Sequence, residues 1–258
     1  MLKLTVYLLR FLNLCYYHLF ALLDKFSSSS NWTEELSRYF STSPEKIVQA
    51  YQQKRPVAAK LWLKKQRQQI NQIFSFYSET DYWVYRQTYF NRNKIFLDIA
   101  LALGLNSGVR FCEYGGGVGP VTHWLIDKFP RWQYQIIDLD CPALKFCRWR
   151  FRGKSNVSFK IVTSLNPPLN GTFDVITCKQ VLEHVPNPLA IVRQLVKHLN
   201  PGGWLFLDYV NHPGRENLSR SARERRQVLG FLGVQLRPIF SIDPNKSDEG
   251  YGLYIKKL

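Results

Sequence analysis

Glu113-Tyr114-Gly115-Gly116-Gly117-Val118-Gly119 decides how the rest of the chain is read. It closes the strand-like run Val109–Tyr114 and leads into Val121–Phe129, where apolar residues recur at helical spacing. Glycines let a backbone turn sharply and let a ligand approach within contact distance. A dinucleotide fingerprint needs G-x-G-x-x-G. Counted from Gly115 its last position is Pro120, and from Gly117 it is Thr122, so both frames fail. No Gly-Lys-Ser/Thr follows, which excludes a P-loop. The carboxylate of Glu113 beside the turn suits a cationic ligand better than a pyrophosphate.

Working outward, strands and helices alternate. Gln133–Asp138, Val157–Val162, Phe173–Cys178 and Trp204–Asp208 read as strands, with helices near 142–152 and 188–199 between them. Asn187-Pro188 caps the second of these helices, and Asn200-Pro201-Gly202-Gly203 ends it. This order predicts an α/β fold with a parallel, doubly wound sheet, helices on both faces and a ligand site beyond the carboxyl ends of the strands.

Four segments in register carry a resemblance. Glu113-x-Gly115-x-Gly117-x-Gly119 resembles motif I of the class I S-adenosylmethionine-dependent methyltransferases. Ile136-Ile137-Asp138-Leu139-Asp140 resembles their second-strand motif, and the Phe173–Val185 stretch, with Leu182-Glu183-His184-Val185, resembles the fourth-strand motif. Leu199-Asn200-Pro201-Gly202-Gly203 resembles the turn before strand five. The match covers roughly residues 92–210 and is nearest the methyltransferase type 11/12 group that includes ubiquinone-type O-methyltransferases.

The resemblance implies a Rossmann-like sheet of seven strands, with 233–240 and 251–257 as closing strands, the last antiparallel. It implies S-adenosyl-L-methionine as cofactor. Gly115, Gly117 and Gly119 would face its amino-acid portion, and Glu113 would hold the turn or the ammonium. Asp138 would receive the ribose hydroxyls, with Asp140 as the other candidate or an N-cap, and Leu139 would pack on the adenine. Lys179 would be a cofactor contact, and Arg92 would meet the cofactor carboxylate. Family members often carry Asp after strand three; here Val162-Thr163-Ser164-Leu165 stands there, and Ser164 or a backbone group takes its place. His184, Asp208 and His212 near the strand ends are candidate catalytic bases, with a structural histidine as the alternative for His184.

The first part of the chain has another character. Residues 1–26 are strongly apolar, but the longest uncharged run, Phe11–Leu23, is 13 residues, short of the roughly 20 that a spanning helix needs. An interfacial helix, making peripheral membrane contact, or a helix packed on its own domain fits better. Ser27–Ser30 reads as a linker. Ser43-Pro44-Glu45 opens a helix to about Gln53, Pro56 interrupts it, and a helix resumes from Ala58 to about Phe76. Ser78-x-x-Asp81 resembles a capping box opening a helix to about Leu103. Tyr82, Tyr85 and Tyr89 share one face of it, as core or as an aromatic lid. The predicted organisation is an apolar segment and linker at 1–30, a helical lid or docking extension at 31–107, and the methyltransferase domain at 108–258.

Composition narrows the function classes. With 45% apolar residues in 258, the chain is globular rather than disordered. Thirty-five Lys and Arg against nineteen Asp and Glu give +16, an excess that attracts phosphates, anionic lipid or acidic substrates. Two basic clusters, Lys145–Lys154 and Arg220–Arg226, are either nucleic-acid surfaces or solvated helix faces. Five cysteines without a C-x-x-C pair support neither zinc nor a disulfide framework and fit a reducing cytoplasm. The expected function is methyl transfer to a small-molecule, lipid or saccharide acceptor. An RNA methyltransferase and a non-catalytic membrane-docked scaffold are the alternatives. Acceptor atom and oligomeric state are left open, and no metal is expected.

Overall fold

The structure, a computed structural model, describes residues 2–23, 31–64, 69–103, 108–163, 169–210, 218–246 and 250–258. Six helices come first: α1 (Leu2–Leu23), α2 (Asn31–Phe40), α3 (Pro44–Lys64), α4 (Ile70–Ser78), α5 (Tyr82–Asn91) and α6 (Leu97–Leu103). Strands and helices then alternate as β1 (Arg110–Tyr114), α7 (Pro120–Leu125), β2 (Gln133–Asp138), α8 (Pro142–Arg150), β3 (Val157–Ile161), β4 (Phe173–Cys178), α9 (Pro188–Lys197) and β5 (Leu199–Asp208). The chain closes with α10 (Ser219–Gln235), β6 (Leu236–Phe240) and β7 (Tyr251–Lys256).

The seven strands form one sheet in the order β3-β2-β1-β4-β5-β7-β6. β1 to β5 run parallel, and β7 is antiparallel to both β5 and β6. Successive strand residues point to opposite faces. Phe111, Ile136, Val175, Phe206 and Leu253 join one apolar cluster, with residues of α2, α3, α5, α7 and α8. Their neighbours Cys112, Ile137, Ile176, Leu205 and Tyr254 join the other, with α9 and α10. Burial on both faces is why these strands read as nearly continuous apolar runs.

The strands lie close to the expected positions, whereas the helical part departs from expectation. α3 continues through Pro56 instead of breaking there. Ile47, Ala58 and Trp62 on either side of the proline are all buried, and this shared stripe holds the two halves in line despite the lost N–H. The predicted helix to Leu103 divides at Asn91 into α5 and α6. The division lets α6 meet α1: the Leu97 N–H at the new helix start donates to Asn13 Oδ1 at 3.2 Å. No capping box forms at Ser78. Its hydroxyl donates to the Asp140 carbonyl at 3.3 Å, and the Asp81 carboxylate is drawn to Lys54 Nζ at 2.8 Å. Asn200–Gly203 lies within β5 rather than between α9 and a later strand, because pairing with β4 already begins at Leu199.

Candidate functional site

The glycine turn after β1 is braced from every side. Gly115, Gly117 and Gly119 all have positive φ, at 67°, 53° and 69°, a region in which a Cβ is strained. A Cβ at Gly115 would stand 2.1 Å from Val181 Cγ2, and one at Gly117 would stand 2.1 Å from Gln87 Oε1. Glu113 is buried, and its carboxylate accepts from the N–H groups of Val121 and Thr122 and from the Thr122 hydroxyl, at 3.1, 2.9 and 2.7 Å. Burial raises its pKa while these three bonds oppose the rise. Of the two roles expected for Glu113, its hydrogen bonds go to holding the turn against α7. On the other side of the turn, the Val118 N–H donates to Gln87 Oε1 at 3.1 Å. Arg150 Nη1 donates to the Val118 carbonyl at 2.6 Å, and its Nε donates to Glu35 at 2.7 Å.

At the end of β2, Asp138 accepts from the Gly117 N–H through one oxygen and from the Leu139 N–H through the other. Burial pushes its pKa up to about 6, with the two bonds opposing. The carboxylate faces a narrow slot of about 110 Å³ whose walls include Leu139, Cys141, Val162 and Val181. A carboxylate has about four lone-pair sites, so Asp138 keeps acceptor capacity for hydroxyl groups in the slot.

The slot opens into a chamber of about 920 Å³ at the carboxyl ends of β1, β4 and β5, with Gly115, Gln180 and His184 among the residues lining both. His184 ends a short 3-10 turn, Leu182–His184, and its ring meets the Trp62 ring edge-on at 5.9 Å. Lys179 Nζ lies 3.3 Å from Asp208 and 5.5 Å from the centre of the Tyr251 ring. Lys94 also faces this chamber, and burial, with Lys179 second, lowers its pKa. The Tyr251 hydroxyl donates to Asp98 at 2.9 Å, and Asn13 Nδ2 donates to the other Asp98 oxygen at 3.0 Å. Arg10, Asn13 and Tyr17 of α1 form part of the wall.

The chamber therefore gathers Asp208, Lys179 and His184 with the glycine turn, and the slot holds Asp138 and Leu139. Other expectations fall elsewhere. Arg92 lies outside both walls; its guanidinium stacks on the Tyr89 ring at 4.0 Å and donates to the Tyr89 carbonyl, so the chain itself engages it. Lys94, two positions on, is the cation of this loop that reaches the chamber. Asp140 is exposed, and Cys141 stands at the N-cap of α8. Ser164 and His212 lie outside the described residues.

Tyr82 and Tyr85 are buried in the core, while Trp62, Tyr77, Trp83 and Phe90 join Tyr7, Phe11 and Tyr17 of α1 among the aromatic residues of the chamber wall. Gln87, Asn13 and Tyr251 are site residues that sequence reasoning missed. Gln87 carries no motif; its signal is only its position one turn after Trp83 on the same helix. The basic clusters are largely occupied internally. Arg150 is clamped between Glu35 and Val118, Lys154 pairs with Asp127, and Arg225 is buried, donating to the carbonyls of Tyr209, Asp243, Pro244 and Lys246.

A family model described as a methyltransferase domain matches residues 82–241. A ubiquinone biosynthesis O-methyltransferase of Xanthomonas campestris pv. campestris (strain B100) is 36% identical over 122 residues, covering 46% of this chain and 50% of the relative. One from Thiobacillus denitrificans is 34% identical over 85 residues, covering 32% of this chain and 37% of the relative. The chain spans about half the length of the first of these curated relatives, or less of the second. Among solved structures, the N-methyltransferase NodS of Bradyrhizobium japonicum in complex with S-adenosyl-L-homocysteine is similar, with a TM-score of 0.46 and 18% identity over 61% of this chain and 83% of that one.

Proposed function

The chain belongs to the methyltransferase-domain family, and on that premise we propose that it transfers a methyl group from S-adenosyl-L-methionine to a small-molecule acceptor. The observation that carries this reading is Asp138, an acceptor-only carboxylate tied to the glycine turn at one oxygen and to Leu139 at the other, with capacity left over. The residues fit the cofactor: a ribose diol matches that spare capacity, and the apolar walls formed by Leu139, Cys141, Val162 and Val181 match an adenine. When bound, the cofactor supplies a methyl group already activated on a sulfonium.

Little covalent chemistry is then left to the protein, which orients the acceptor and excludes water. Trp62, Tyr77, Trp83 and Phe90 line the chamber and serve as the aromatic cover. His184 lines both chamber and slot, which supports its role as the proton acceptor for a hydroxyl. Relatives named as O-methyltransferases favour an oxygen acceptor. Asp208 acts as the counter-charge of Lys179, and this pair with Lys94 sets the polarity of the acceptor end. In this reading residues 108–258 form the catalytic domain and 31–107 the lid, in a cytoplasmic protein that touches membrane through 1–26.

Calorimetric titration with S-adenosyl-L-methionine tests the reading. The folded protein binds, and Asp138→Ala weakens binding at least tenfold, about 1.4 kcal/mol. A folded wild type that does not bind overturns the proposal.

A further inference from the structure

α1 presents two faces of opposite chemistry. Val6, Arg10, Asn13 and Tyr17 follow one another at helical spacing; Val6 is fully buried and the other three line the chamber. Leu4, Leu8, Leu12 and Leu19 form the outward row at 75%, 56%, 42% and 54% exposure, also at helical spacing and outside the chamber wall. Eight of the thirteen exposed large apolar side chains among the described residues lie on this one helix. Tyr7, Phe11 and Leu14 among them edge the chamber, and the other five, Leu4, Leu8, Leu12, Tyr16 and Leu19, form the outward patch; such a patch marks an interaction surface.

The charges narrow the partner. α1 contains no acidic residue, and its two cations stand against rings of the body: Lys3 near Phe240 at 5.8 Å and Arg10 on Tyr251 at 3.7 Å. The outward row is therefore uncharged on a chain of net charge +16. A second copy would bring the same positive charge, whereas an anionic bilayer offers apolar depth and opposite charge together. Among the described residues no helix is long and apolar enough to cross a membrane, which leaves α1 lying along the surface.

We propose that the outward row of α1 inserts into the interfacial layer of an anionic bilayer, and that α1 thereby brings the chamber it walls to the membrane face, so that the acceptor arrives from the lipid phase. Surface attachment stands on the helix alone; acceptor arrival rests on the methyl-transfer reading above. The outward side chains sit in the headgroup region while Asn13 keeps α1 tied to Leu97 and Asp98.

Vesicle co-sedimentation of the full chain tests this, with phosphatidylcholine vesicles carrying 30% phosphatidylglycerol and with pure phosphatidylcholine. The wild type binds the anionic vesicles, at least tenfold more weakly at high salt or on neutral lipid. Leu8→Glu with Leu12→Glu, neither of which lines the chamber or the slot, lowers partitioning at least tenfold and leaves cofactor affinity by calorimetry unchanged, which confirms that the variant folds. Absent vesicle binding, or equal binding by the variant, overturns the proposal. Self-association by sedimentation velocity that the variant abolishes, without vesicle binding, assigns the face to a second copy instead. Vesicle binding without cofactor binding leaves attachment standing and removes the methyl-transfer reading with acceptor arrival.

Discussion

The slot beside Asp138 and the larger chamber open into each other but are assembled differently. Most of the slot's wall comes from one stretch, Tyr114–Ile191, in which the ends of β1, β2 and β4 lie side by side. The chamber draws on the chain from Tyr7 of α1 to Tyr251 of β7. The slot is a consequence of strand order, since any parallel sheet of this kind brings those strand ends together. The chamber depends on α1, α3, α4, α5 and α6, which add nothing to the sheet. In the function proposed above, cofactor recognition falls to the slot and acceptor recognition to the chamber.

The largest expected effect tests whether the slot is truly local. Arg150 reaches from α8 to both the glycine turn and Glu35 of α2, with only 6% of its side chain exposed. Arg150→Ala leaves Glu35 without its partner in a largely buried place and costs about 3 kcal/mol. In a chain of this size that lowers the calorimetric thermal midpoint by roughly 6–12 °C. A shift under about 2 °C would mean that the turn is held by its own sequence, which makes the contrast between slot and chamber sharper still.

A second test separates the two by pH. Asp138 titrates near 6, and its neutral form loses acceptor capacity, so cofactor affinity falls about tenfold per unit below that value and is flat above pH 7. Because its folded pKa lies above the ordinary carboxylate value, the folded state takes up this proton first. Its contribution to stability is therefore present at low pH and lost as pH rises through 6, opposite in direction to the effect on affinity. At the chamber the sign differs: Lys94, lowered by burial, loses its charge on the alkaline side before an ordinary lysine does. Calorimetric titrations from pH 5 to 8 read the acid limb, and a slot that ignores pH would break the comparison.

The smallest effect concerns the chamber alone. Asn13→Leu removes the bonds to Asp98 and to the Leu97 N–H, worth about 1–2 kcal/mol together. Hydrogen exchange should speed up across α1 while cofactor affinity stays within about twofold. A large loss of cofactor affinity would show that chamber and slot are one unit.

How legible each part was follows from the same contrast. Asp138, Leu139 and the glycines were readable because their chemistry sits in short motifs whose neighbours in space are neighbours in a regular sheet. Lys179 and Asp208 were readable as strand-end residues, but their pairing was not, because β4 and β5 meet only in the sheet. The place of Arg92 is set by a local feature that sequence does not reveal: the loop between α5 and α6 turns it onto Tyr89 and sends Lys94 inward. Pro56 was read as a break because a lone helix has nothing to offset its missing N–H, whereas α3 has a buried stripe on both sides of it. The basic run around Arg150 looked like a surface because sequence cannot show Glu35 on another helix approaching it.

By itself, then, the sequence determined the order of strands, the glycine turn, the acidic residue at the end of the second strand and the apolar character of the first helix, which has no acidic residue. Each of these is encoded by residue type within a few positions, where backbone sterics and side-chain periodicity act directly. Only the tertiary structure decided that Gln87 and Arg150 brace the turn, that Asn13, Asp98 and Tyr251 tie the first helix to the last strand, and that the helix's apolar row faces outward. Those contacts join residues up to 153 positions apart, and their energy exists only once the sheet has brought them within hydrogen-bonding distance.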